Sequence, residues 1–90
     1  MSHTVVEKRK LLNRVRRIRG QVEAVERDLS EDSDCAAVLH SIAACRGAMD
    51  ALMAEVIEGH IRSHILGAGT KANSQRGADE LISALRAYLR

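Results

Sequence analysis

From Cys35 to about Leu66 this chain contains nothing that ends a helix. Ala36, Val38, Leu39, Ile42, Ala43, Met49, Leu52, Met53, Val56, Ile57, Ile61 and Ile65 recur at helical spacing, and Gly47 and Gly59 are the only weak points. The sequence has no proline. A helix of about 32 residues is about 48 Å long at 1.5 Å per residue. A globule built from 90 residues cannot enclose such a rod, so part of its apolar surface is expected to meet other subunits. A chain of this size also buries only about 60–65% of its unfolded surface and is marginal alone. Cys35 and Cys45 both fall in the rod and do not read as a disulfide framework. Oligomerisation is the expected remedy.

The flanks support an all-α fold. Val5, Leu12, Val15, Ile18, Val22, Val25 and Leu29 give residues 4–29 the pattern of a helix with one buried stripe. The SEDSD turn follows, and its acidic and hydroxyl side chains suit the start of a second helix near Ser33. Residues 67–77, GAGTKANSQRG, mix three glycines with small polar residues and predict a loop. Ala78, Leu81, Ile82, Leu85, Tyr88 and Leu89 then form one apolar face of a last helix. There is no unbroken apolar run near 18 residues and no apolar core behind a basic start. A single cytoplasmic domain spanning 1–90, with no membrane partner, is expected.

Charge is distributed unevenly. Lys8, Arg9, Lys10, Arg14, Arg16, Arg17 and Arg19 are seven of the 14 basic residues, and no acid interrupts them. On a helix Lys10, Arg14 and Arg17 share one row and Arg9 and Arg16 another, with the Leu12, Val15 and Ile18 stripe expected to face the opposite way. Such rows neutralise phosphates and release counterions, which predicts salt-dependent binding to nucleic acid. A solvated helix face is the plain alternative.

His60 and His64 lie one helical turn apart, a spacing that lets two imidazoles grip one metal ion, with an incidental surface pair as the plain alternative unless Cys35 corroborates it. A thiolate joined to imidazoles suits Ni, Co, Zn or Cu rather than Mg or Ca. Cys35 lies within about 20° of His60 around the helix but about 37 Å away along it. One chain therefore cannot use both on one ion. Two copies of the long helix packed antiparallel would bring Cys35 of one beside His60 and His64 of the other, creating two equivalent sites. Removal of Met1 ahead of the small Ser2 would put a free amino group and the His3 imidazole within reach of one ion, with an unstructured terminus as the alternative. Cys45 reads as a small buried hydrophobe and His40 as a surface or interface residue.

Over nearly its whole length the sequence resembles the CsoR/RcnR family of metal- and stress-responsive bacterial repressors. The resemblance runs through RVRRIRGQVEAVERDL, then CAAVLHSIAACRGAMDALMAEVIEGHI, and the terminal LRAYLR. It implies three helices, an antiparallel dimer assembled into a disc-like homotetramer, and release of double-stranded operator DNA when effector binds. The effector positions read His3, Cys35, His60 and His64. This set looks like the nickel/cobalt branch, in which the amino terminus and His3 complete the site, whereas copper sensors carry cysteine where His64 stands. Three imidazoles also fit a harder ion than Cu(I). The resemblance implies DNA contacts at Arg14 and Arg17, with Lys10, Arg16 and Arg19 as helical neighbours, and a role for Glu80 in orienting a ligand histidine.

The implied function is a repressor released by Ni(II) or Co(II), with Zn(II) also acceptable to these ligands, that controls metal efflux. The basic segment is closer to the formaldehyde-responsive branch, which senses through the equivalent of Cys35 and a proline after Met1. Ser2 departs from that pattern. A basic interaction module that senses nothing is a further alternative, marked by failure to bind DNA tightly. An enzyme is not expected, because the chain shows no phosphate loop or nucleophile–base pair.

Overall fold

The computed structural model describes residues 5–88, so His3 lies outside the described residues. Its elements are α1 (Val5–Ser30), α2 (Cys35–His60), a π-helical turn over Ile61–Leu66 that prolongs α2, and α3 (Lys71–Tyr88). There is no strand among the described residues. The expected all-α, three-helix chain with a long central rod is what forms.

α1 and α2 make an antiparallel pair. Arg14 meets Glu55 at one end, and at the other the Ser41 hydroxyl donates to Asp28 Oδ2 at 2.5 Å. The turn between them is a Schellman closure. Asp32 adopts a left-handed φ of 54°, Ser33 N–H donates to Asp28 O at 2.9 Å, and Asp32 N–H donates to Leu29 O at 3.3 Å. α2 then starts on Asp34, whose carboxylate accepts from Ala37 N–H at 2.8 Å. The SEDSD segment thus stops one helix and caps the next.

Two expectations need correction. The first concerns the buried stripe of α1. Ile18 is the one buried apolar side chain among the described residues, while Leu12, Val15, Val22 and Leu29 are 39–60% exposed. Leu11, Arg14, Gln21 and Val25 are half-buried with Ile18. Arg14 is only about 40° from Ile18 around the helix, so the Lys10–Arg14–Arg17 row borders the packed face instead of opposing it.

The second concerns residues 67–77, which are not one loop. α3 starts at Lys71, where Thr70 Oγ1 accepts from Asn73 N–H at 3.1 Å and Thr70 O accepts from Ser74 N–H at 3.0 Å. Only Gly69 has a positive φ there, 83°. Gly77 is helical and buried, and its role is close approach. A Cβ at this position would stand 2.0 Å from His64 O and 2.7 Å from His64 C.

The molecule is one layer thick. Its extents are 56 × 32 × 13 Å, and a single helix with side chains is already about 10–12 Å across. Leu12, Val22 and Leu29 on α1, and Leu39, Ile42, Met49 and Met53 on α2, are consequently exposed. A fully buried side chain of this kind contributes about 1.5–3 kcal/mol, so a lone chain forgoes much of its hydrophobic stabilisation. By length and composition Cys35–Leu66 could cross a membrane, with a mean hydropathy of 1.2 over its most apolar window. Arg46, Asp50, Glu55, Glu58 and Arg62 along the rod argue against that.

Candidate metal centre and nucleic-acid interface

His60 ends α2 and His64 sits within the π-helical turn. Four positions apart, the two rings stack with centroids 4.8 Å apart and planes 26° from parallel. Gly67 closes the turn by donating from N–H to Arg62 O at 2.8 Å. A Cβ on Gly67 would come within 2.7 Å of that same oxygen, so glycine is what lets the wide turn end there. Turns of this kind concentrate at functional sites.

α3 orients the pair. His60 Nε2 lies 2.9 Å from Gly77 O. A carbonyl only accepts, so Nε2 carries the proton, and in the neutral ring Nδ1 holds the lone pair. An imidazole fixed in this way is a prepared metal ligand. Glu80, to which the resemblance gave the orienting role, lies one turn along α3 and borders the cavities that hold His60 and His64. The hydrogen bond that fixes His60 comes from the Gly77 backbone.

Two imidazoles converge at the α2–α3 junction, and Cys35 is exposed at the opposite end of α2. No cluster of three or more His, Cys, Asp or Glu side chains able to hold an ion occurs among the described residues. The donor chemistry fits a borderline divalent ion. Two imidazoles do not complete a site, and the described residues bring no third donor to them. His40 is exposed on α2 and Cys45 is half-buried, neither beside the histidine pair.

On α1, Lys10, Arg16, Arg17 and Arg19 are exposed. Arg16 Nη1 donates to Asn13 Oδ1 at 3.0 Å. Arg14 differs. It is 32% exposed, and its Nη2 donates to Glu55 Oε1 of α2 at 2.8 Å. Arg14 and Arg17 line a small cleft with Ile18, Gln21 and Ala48, where the Gln21 Oε1 is buried without a hydrogen-bond partner. The acidic partner across the helix pair was not found from sequence. Counting out from the SEDSD turn in antiparallel register places Asp50, not Glu55, opposite Arg14, so the sequence alone did not single Glu55 out.

With this geometry in hand, comparison with known proteins is decisive. The family model described as metal-sensitive transcriptional repressor matches residues 7–87. The chain belongs to this family of metal-sensitive transcriptional repressors. Its members are DNA-binding regulators and not enzymes. The chain is similar over its full length, and over the full length of each relative, to an uncharacterised protein of the bioA 5′ region of Serratia marcescens (48% identity). On the same terms it is similar to the transcriptional repressor RcnR of Salmonella arizonae (44%). Among solved structures it is similar to a variant of the formaldehyde-responsive regulator FrmR from Salmonella enterica serovar Typhimurium. That match has a TM-score of 0.85 and 44% identity, and covers 97% of this chain and 99% of that one. The nickel-responsive transcriptional regulator InrS gives a TM-score of 0.77 and 30% identity, covering 97% and 94%. Among metal-sensitive repressors this chain thus resembles both metal-responsive and aldehyde-responsive proteins.

Proposed function

We propose that this chain represses transcription by binding operator DNA in its metal-free form and is released by Ni(II) or Co(II), so controlling metal efflux. Zn(II) is a further ion that the same donors accept. The observation that carries the reading is the His60–His64 pair, stacked on a π-helical turn with the His60 proton held by Gly77. A building block that costs regular helix geometry and fixes a tautomer is hard to explain by packing alone. Similarity to nickel-responsive InrS supports the choice of ion.

The proposed ligands are His3, Cys35, His60 and His64. The axial separation of Cys35 from His60, about 37 Å, requires Cys35 to come from a second copy of the chain. The one-layer shape and its exposed apolar faces support that assembly, as an antiparallel dimer built into a homotetramer. Glu80 then contributes by orienting a histidine. Lys10, Arg14, Arg16, Arg17 and Arg19 meet the phosphates of double-stranded DNA, and repetition of the basic faces in the assembly multiplies their effect. Effector and DNA bind with opposing preferences, so each lowers the affinity of the other by one and the same factor.

A titration of reduced, metal-free protein against its own upstream DNA, repeated with nickel, cobalt, zinc, copper(I) and formaldehyde, tests this reading. Release by nickel or cobalt is expected, and Cys35→Ala should bind DNA normally but ignore the metal. If Cys35→Ala still lets go of DNA when nickel is added, the ligand set is wrong. The exposed Cys35 thiol and the similarity to FrmR favour one second reading, an aldehyde-responsive repressor. Release by formaldehyde alone, with a covalent adduct on Cys35 by mass spectrometry, would establish it in place of metal sensing.

A further inference from the structure

Four of the five candidate DNA contacts are exposed, and Arg14 is not. Its Nη2 donates to Glu55, 41 positions away in sequence and on the opposing helix, with the two side chains 32% and 38% exposed. We propose that Glu55 sets the DNA affinity of this chain by holding Arg14 in an internal ion pair that competes with phosphate for the guanidinium. The inference rests on the reading of α1 as the DNA-binding face.

The chemistry of the two partners makes them competitors. A carboxylate and a phosphodiester both offer anionic oxygens to the same N–H fork. A phosphate that joined Arg14 beside Glu55 would meet a guanidinium whose charge is already balanced by a carboxylate at 2.8 Å and would be repelled by that carboxylate, so it gains less than from a free guanidinium. Opening is affordable because both side chains keep contact with solvent. The second acid nearby is not equivalent. Glu58 accepts from Arg62 of its own helical rod at 2.9 and 3.1 Å, so its charge is compensated without reaching α1. Both acids line one cleft with Lys10 and Gly59, and Gly59 adjoins His60. Glu55 is thus about 7.5 Å along the rod from the candidate effector ligand, and the lock on Arg14 and the histidine pair belong to one continuous helical element.

The test is fluorescence anisotropy of a labelled duplex from the region upstream of the gene, titrated with metal-free protein. Glu55→Gln keeps the shape and removes the charge. It should tighten binding by about two- to fivefold for each Arg14 engaged, the range freed when a partly exposed ion pair no longer competes. Glu58→Gln makes the same change in net charge and should give a clearly smaller gain. Glu55→Asp keeps the charge and should stay near wild type. In an Arg14→Ala background the effect of Glu55→Gln should vanish, closing a double-mutant cycle on the pair. Unchanged or weaker binding by Glu55→Gln overturns the proposal, as does an equal gain from Glu58→Gln or a gain that persists without Arg14. If Arg14→Ala binds DNA as tightly as wild type, the DNA-face reading fails and the proposal with it. If Arg14→Ala is weak and Glu55→Gln gains nothing, the proposal alone fails.

Discussion

Replacing Gly77 with alanine sets two well-calibrated effects against each other. Within a helix alanine is favoured over glycine by about 0.8–1.0 kcal/mol, so an inventory of helix propensities expects Gly77→Ala to stabilise the protein. The structure predicts the reverse. The new methyl would meet His64 O at 2.0 Å, His64 C at 2.7 Å and His64 Cβ at 3.1 Å. Two of those atoms are backbone, so no rotamer change relieves the clash, and α3 must retreat by more than an ångström. Overpacking of this kind costs about 1–3 kcal/mol. The same retreat carries Gly77 O away from His60 Nε2, now 2.9 Å distant, and forfeits about 1 kcal/mol of hydrogen bonding. Set against the propensity gain, the net is a destabilisation of about 1–3 kcal/mol. The assay is urea unfolding followed by far-UV circular dichroism at fixed protomer concentration, since assembly makes stability concentration-dependent. Gly47→Ala is the control, because a Cβ there meets nothing within 4 Å; it should gain about 0.5–1 kcal/mol. Metal affinity of Gly77→Ala should fall about 10–100-fold with the loss of the group that orients His60, while metal-free DNA binding through α1 persists. A Gly77→Ala protein as stable as wild type, with its metal response intact, would refute the argument.

Two further substitutions probe the turns. Asp32→Gly should stabilise the chain by about 1 kcal/mol, measured by the same unfolding assay, because the left-handed φ of 54° is strained for a residue with a Cβ. Thr70→Ala should cost about 1 kcal/mol by removing the cap on Asn73 N–H, and amide exchange should show the first turn of α3 opening while α1 and α2 keep their protection.

Periodicity made the two long helices and the final apolar face legible, because an apolar residue every three or four positions has a single structural meaning. The same logic failed at residues 67–77. Glycines and small polar side chains read as a loop whenever the only question asked is how well a segment forms a helix alone. Gly77 instead answers to a neighbour distant in sequence, the backbone of His64, and Thr70 supplies a cap whose strength depends on geometry. The π-helical turn over Ile61–Leu66 escaped for a related reason. The residues IRSHIL suit an α-helix as well as a π turn, and it is the closure at Gly67 that selects the wider winding. On α1 the excess of positive charge was plain, but its orientation was not. A buried stripe assigned from apolar residues alone omits Arg14, whose aliphatic stem packs beside Ile18 while its head finds Glu55.

The candidate site was legible as residue types and illegible as a place. His60 and His64 announce themselves by spacing, whereas Cys35 stands at the far end of the rod and joins them only if the chain meets a copy of itself. A layer 13 Å thick gives physical content to that condition. Among the described residues no third His, Cys, Asp or Glu clusters with the histidine pair to hold an ion. The exposed Leu39, Ile42, Met49 and Met53 occupy the same rod that carries Cys35, Glu55 and His60. Whatever covers that apolar face therefore also fixes the rod's position relative to its neighbours, and with it the distance from Cys35 to the histidine pair and the geometry at Arg14. On the proposed assembly and ligand set, a substitution that only loosens the apolar face should weaken metal response and alter DNA binding together.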